Sequence, residues 1–151
     1  MNGLQTLHFT VLAVWGGVLA CEGILEFLMP ARTFVERKQV ARLHFFIDML
    51  VEGPLLILIA TTGTILVIHT KLSFLVEMHL AAGLLVIIGS AACILFVAKR
   101  HLQIRYLSNS EDSVTEHALN GEKLNRVIHN LIYAFTPLGV GAFALGIWLI
   151  R

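Results

Sequence analysis

Charge is what this chain has least of. Ten acidic and 11 basic residues among 151 make it 14% charged, where an ordinary soluble domain carries about 25%. The net charge of +1 gives no field of one sign, which argues against nucleic acid as a partner. Cysteine is scarce too. The two that occur, Cys21 and Cys93, both lie inside hydrophobic stretches and read as small packing residues rather than a disulfide framework. Cys21, beside Glu22, also has the chemistry of a soft metal ligand. Residues 1–5 carry no basic side chain, and Phe27-Leu28-Met29-Pro30-Ala31-Arg32 lacks a small-residue cleavage pattern, so no cleavable signal is expected.

Apolar residues are what is abundant: 57% of the chain is hydrophobic and the mean hydropathy is +0.81. Crossing the hydrocarbon of a bilayer takes roughly 20 helical residues. Four stretches reach that length, at about 7–29, 43–68, 72–97 and 127–150. They predict an all-α polytopic membrane protein, a single four-helix transmembrane bundle. Pro30 should end the first helix, because proline cannot continue the hydrogen-bond ladder. Thr33-Phe34-Val35-Glu36 has the form of a capping box and places a helix start ahead of the second span. The connection at His69-Thr70-Lys71 is so short that the second and third helices must be antiparallel neighbours.

The polar stretch 99–126 reads as a loop, with another candidate capping box at Ser113-Val114-Thr115-Glu116 and a break at Asn120-Gly121. Its mixed charges, Glu111, Asp112, Glu116 and Glu122 among Lys99, Arg100, Arg105, Lys123 and Arg126, suit a solvated surface. Basic residues set the orientation. Arg32, Arg37, Lys38, Arg42, Lys99, Arg100, Arg105, Lys123 and Arg126 flank two connections, against Lys71 and Arg151 on the other side. The positive-inside rule then predicts an inner-membrane protein with cytoplasmic basic loops and both termini outside.

Against this background a few ionisable residues stand where they are costly. Glu22 and Glu26 lie four apart in the first span; His44, Asp48 and Glu52 repeat at the same interval in the second. That spacing stacks side chains on one helix face. His8, Trp15 and Glu22 recur every seven residues along the first span, a polar stripe expected to face the bundle interior. His129, with Tyr133 and Thr136, enters from the fourth. In hydrocarbon each such charge must be paired, protonated or bound to a cation. Arg32, Arg42 and Arg126 are the candidate partners from the interface.

Glu22, Glu26, His44, Asp48, Glu52, His129 and Tyr133 can converge in one half of the bundle. Carboxylates and imidazoles from facing helices are how helical bundles hold metals. The first six are the candidate ligands for a divalent ion, and oxygen-rich sites with imidazole suit iron, manganese or zinc. His44-x-x-x-Asp48 is similar to the intramembrane zinc sites of cation-diffusion transporters. The same groups also suit a relay in a proton- or ion-conducting subunit.

A separate pair, His8 and His79, is placed nearer the other surface. Glu77 and His79 point about 200° apart on a helix, and the His79 face also carries Gly83, Ser90 and Cys93, so His79 is the inward residue. Two such histidines suit axial ligation of haem b. The small pair Ala142-x-x-x-Gly146 permits close helix approach, within the bundle or in a homo-oligomer.

The run Leu7-His8 followed by Trp15-Gly16-Gly17 resembles the first helix of two related groups. These are the membrane domain of copper-resistance D proteins and the small four-helix haem-containing protoporphyrinogen oxidases of bacteria. Pro54, Thr62-Gly63 and Lys71-Leu72 extend the resemblance to scattered positions. It implies a four-helix fold in which His8 binds haem or copper, with Trp15 and Lys71 lining the same site. The chain departs from those oxidases at Ala81-Ala82-Gly83, where they carry a histidine, and in its set of acids. Taken together, the expectation is a membrane metalloprotein, an oxidoreductase or other metal-dependent enzyme with a lipophilic substrate. It acts alone, as a homo-oligomer or in a larger membrane complex.

Overall fold

A computed structural model describes residues 3–28, 33–69, 73–107 and 114–149, all but a few of them helical. Helix α1 spans Gly3–Gly23 and widens into a π turn at Ile24–Leu28. Helix α2, Phe34–Ile47, runs through a π turn at Asp48–Glu52 directly into α3, Gly53–Ile68, so that these three form one continuous rod. Helices α4, Phe74–Leu107, and α5, Val114–Leu149, complete the fold. Four segments are long and apolar enough to cross a membrane: Gly3–Glu26, Val35–Ile68, Phe74–Tyr106 and Lys123–Trp148.

The capping box at the start of α2 is formed. Glu36 N–H donates to Thr33 Oγ1 (3.2 Å), and Thr33 N–H donates to Glu36 Oε2 (3.0 Å). Two backbone donors at the helix start are thereby satisfied reciprocally. Two boundaries correct the sequence reading. Helix α4 continues past Val97 to Leu107, and α5 begins at Val114 rather than near Val127. The stretch 99–126 is therefore mostly helix, and Asn120-Gly121 lies inside α5 without a break. Hydropathy marks where apolar residues stop, not where hydrogen bonding stops. A glycine inside a helix costs only about 1 kcal/mol against alanine, and Ala118, Leu119, Lys123 and Leu124 are strong helix formers that offset it. Pro30, Arg32, Lys71 and Ser113 lie outside the described residues.

The π turn in the rod follows from Gly53-Pro54. Proline has no N–H, and its ring crowds the preceding turn. The chain widens there, and Gly53 N–H bonds the Asp48 carbonyl five residues back. The widening also fixes which face is buried. His44, Asp48, Glu52 and Leu56 are all buried at successive steps of four. On a regular helix each such step drifts about 40° around the axis, so three steps would carry Leu56 far from His44. The wider turn takes up that drift and keeps the four residues on one side.

Helix α1 packs along α3, α4 packs along α5, and α2 lies against α4. Val11, Trp15, Leu56, Ile59 and Val86 form the buried core at the centre. The predicted stripe on α1 does face inward: His8, Val11, Trp15 and Glu22 are its buried residues. The α4–α5 contact depends on Gly89, where a Cβ would lie 2.5 Å from the Phe135 ring. The Ala142/Gly146 pair also faces inward, since a Cβ on Gly146 would meet His79 Cε1 at 2.9 Å. That pair serves packing within the chain. Large apolar side chains such as Leu50, Ile57, Phe74 and Leu95 are each about 70% exposed, and such a surface suits contact with lipid rather than water.

Candidate metal centre and the adjoining cavity

Two halves of the bundle hold the polar residues. In the half containing the start of α2, the centre is His44, which is fully buried. Its Nδ1 lies 2.5 Å from Glu26 Oε1. Arg100 Nη2 donates to the same oxygen (2.6 Å) and Nη1 donates to Glu26 Oε2 (3.1 Å). With both Glu26 oxygens accepting from a guanidinium, Glu26 is a carboxylate, and a carboxylate accepts only. His44 Nδ1 therefore carries its proton and donates it to Glu26. Arg100 Nη2, 3.0 Å from Nδ1, is a second donor converging on one oxygen.

That tautomer leaves a lone pair on His44 Nε2. The atom is buried without a hydrogen-bond partner, 3.3 Å from Asp48 Oδ1 and 3.8 Å from Glu22 Oε2. Asp48 Oδ1 and Oδ2 and Glu22 Oε1 are also buried, with no hydrogen-bond partner but each other's carboxyl group. Three ligand atoms, one from each of Glu22, His44 and Asp48, lie within 4.8 Å of one another. A lone pair facing carboxylate oxygens is repulsive unless a proton or a cation lies between them. Bonds of 2.0–2.2 Å in tetrahedral geometry separate ligand atoms by about 3.3–3.6 Å; the His44–Asp48 distance of 3.3 Å meets that spacing, and Glu22, at 3.8 Å, would have to draw in slightly.

The other sequence candidates take different places. Glu26 orients His44, as carboxylates do for metal-binding histidines. Glu52, 2% exposed, accepts a hydrogen bond from Trp15 Nε1 (3.0 Å). His129 sits at the edge, its side chain 34% exposed and Nε2 3.7 Å from Glu26 Oε2. Tyr133 is 67% exposed. Cys21 is exposed, and both cysteines are free, so Cys21 does not join Glu22.

The cation that pairs with Glu26 is Arg100, which is not among those expected from the interface; of those, Arg32 lies outside the described residues. Arg42 instead lies over the Phe46 ring, 5.7 Å from its centroid. Arg100 comes from the last turns of α4, and its Nη1 also donates to Asn125 Oδ1 of α5 (3.1 Å). The signal for it was the face of α4 itself. Val86, Ser90, Val97 and Arg100 are all buried at helical spacing, so the inward stripe continues past the end of the long apolar run.

In the opposite half all four spans line a cavity of about 380 Å³. His8 and His79 both line it, as the pairing of these residues anticipates. Thr62 Oγ1 donates its single proton to the Leu58 carbonyl (2.6 Å), so His8 Nδ1 is the donor in its 2.7 Å contact with Thr62 Oγ1. His79 Nδ1 donates to the Ala142 carbonyl (3.0 Å). Both imidazoles thus hold their proton on Nδ1 and carry a lone pair on Nε2. Trp15 belongs to both halves: it lines the cavity, and its N–H reaches Glu52. A Cβ on Gly139 would touch its six-membered ring at 3.6 Å.

No family model, curated protein or solved structure matches this chain.

Proposed function

We propose that this chain is an integral inner-membrane metalloprotein that holds one divalent transition ion at Glu22, His44 and Asp48. The observation that carries the reading is His44 itself. A carboxylate–imidazole pair fixes its proton on Nδ1, and the opposite nitrogen, buried and unbonded, faces two further carboxyl groups. That is the donor set and the orienting partner of a metal-binding histidine.

Charge supports the same reading. Glu26 is balanced by Arg100. Glu22 and Asp48 together balance a dication, leaving Glu52 to its hydrogen bond from Trp15. Two carboxylates and one imidazole suit iron, manganese or zinc over softer or purely oxygen-seeking ions. Three protein ligands also leave a coordination position open, the pattern of catalytic rather than closed structural sites. A metal-dependent enzyme with a lipophilic substrate is consistent with that opening. The basic residues flanking α2 and the end of α4 support a cytoplasmic location for that end of the bundle, with both termini outside.

The test is elemental analysis of protein purified in detergent without chelators, then dialysed against iron(II), manganese or zinc. About one equivalent of one metal per chain is expected, with Asp48→Asn and Glu22→Gln each reducing occupancy at least tenfold. A wild-type protein that stays folded and takes up none of the three would refute the reading.

A further inference from the structure

The cavity in the opposite half is not needed for the metal. We infer that it is a binding site for a lipophilic ring bearing two hydroxyl groups, the hydroquinone class, with His8 and His79 as the two acceptors. Its volume, about 380 Å³, falls within the range of small-molecule sites, which are mostly apolar with a few convergent polar groups. The walls are of that kind: Phe9, Leu12, Ile59 and Phe143 among others, with Trp15 beneath them. The two imidazoles come from different helices and each is oriented by its own Nδ1 bond, to Thr62 and to the Ala142 carbonyl.

Those bonds decide what the occupant must bring. Each Nε2 is an acceptor, so the ligand must donate at both ends. The donor must be neutral, because the described lining residues include no carboxylate to pair with an ammonium. A hydroxyl meets both conditions. Gly83 leaves room for the body of the ring: it lines the cavity, and a Cβ there would find nothing within 4 Å. Leu84 lines the cavity and is also 59% exposed on the outside of the bundle, which gives an alkyl tail a lateral way out. At the two imidazoles the dione form of the same ring presents acceptors to acceptors. Unpaired buried acceptors are costly, so the diol should bind about tenfold or more tightly.

The experiment reads Trp15 fluorescence in full-length protein carrying Trp148→Phe, which removes the other, exposed tryptophan. The probes are a short-chain alkyl hydroquinone and its dimethyl ether, which keeps the shape and loses both donors. The diol should bind at least tenfold more tightly than the ether. His8→Phe and His79→Phe should each erase that preference, and Gly83→Leu, which fills the cavity from the helix face that also carries His79, should abolish binding of both probes. Equal affinity for diol and ether would overturn the inference. So would a preference that survives both histidine substitutions, or a Soret absorption in purified protein that disappears in His8→Phe, which would make the occupant haem. Metal content measured on the same samples reports separately on Glu22, His44 and Asp48.

Discussion

Glu26 and Arg100 lie 74 positions apart in the chain and are joined by two hydrogen bonds, one to each carboxylate oxygen. Both side chains are nearly buried, at 6% and 5% exposure. Removing one partner of a buried pair strands the other charge, at a cost of about 3–5 kcal/mol. Arg100→Met should therefore lower the unfolding free energy by that order in detergent. Arg100→Lys should recover only part of it, because an ammonium cannot hold both Glu26 oxygens and Asn125 in one plane. Full recovery by lysine would show that the fork geometry is immaterial.

In the proposed centre Glu26 acts through His44 and not as a ligand. Glu26→Gln should leave Glu22, His44 and Asp48 in place but remove the anion that holds the His44 proton on Nδ1. Loss of such an orienting partner lowers metal affinity about 10–100-fold. Competition against a chelator of known affinity measures it. A loss as complete as that of Asp48→Asn would instead make Glu26 a direct ligand.

Trp15 donates to Glu52 Oε1, and Ser90 is a second side-chain partner of the same carboxyl group. Trp15→Phe keeps most of the ring and removes the N–H, at a cost of about 1–3 kcal/mol for the acceptor left buried. A double-mutant cycle with Glu52→Ala should show a coupling of about 0.5–3 kcal/mol. Additive effects would mean that the bond contributes nothing in the membrane-like environment.

The α4–α5 pair is set by Gly89, against which the Phe135 ring lies. Gly89→Leu should lower the melting temperature by forcing the helices apart, since overpacking costs about 1–3 kcal/mol. Phe135→Ala added to Gly89→Leu should restore part of the loss. A Gly89→Leu protein as stable as wild type would contradict the close approach.

The spans and the polar stripe were legible because the underlying physics is periodic. Four apolar runs of membrane length gave four helices. His8, Trp15 and Glu22 at intervals of seven gave the inward face of α1. The i, i+4 acids on the rod gave Asp48 and Glu52 beside His44. What was not legible came from contacts between distant segments. Arg100 stood beyond the apolar run, where it read as one more surface base. Glu26 and Glu22 look alike in sequence, yet one meets a guanidinium and the other an unbonded imidazole nitrogen. Trp15 announced itself as an aromatic on a buried stripe, but its donor had no visible address until α1 lay against the rod.

The π turn at Asp48–Glu52 makes the position of a deletion in this rod as significant as its size. Deleting Leu50 would let the segment revert to an ordinary helix, a change that local hydrogen bonding would accept. Eleven steps of about 100° bring Leu56 back to within about 20° of His44, so Thr62 and the wall behind His8 would stay in line with α1. Deleting a residue from a regular stretch of the rod, with the turn kept, would rotate everything beyond it by about 100°. The turn is thus a reserve of one residue, the only place in the rod where the chain can shorten and both halves still fit the same bundle.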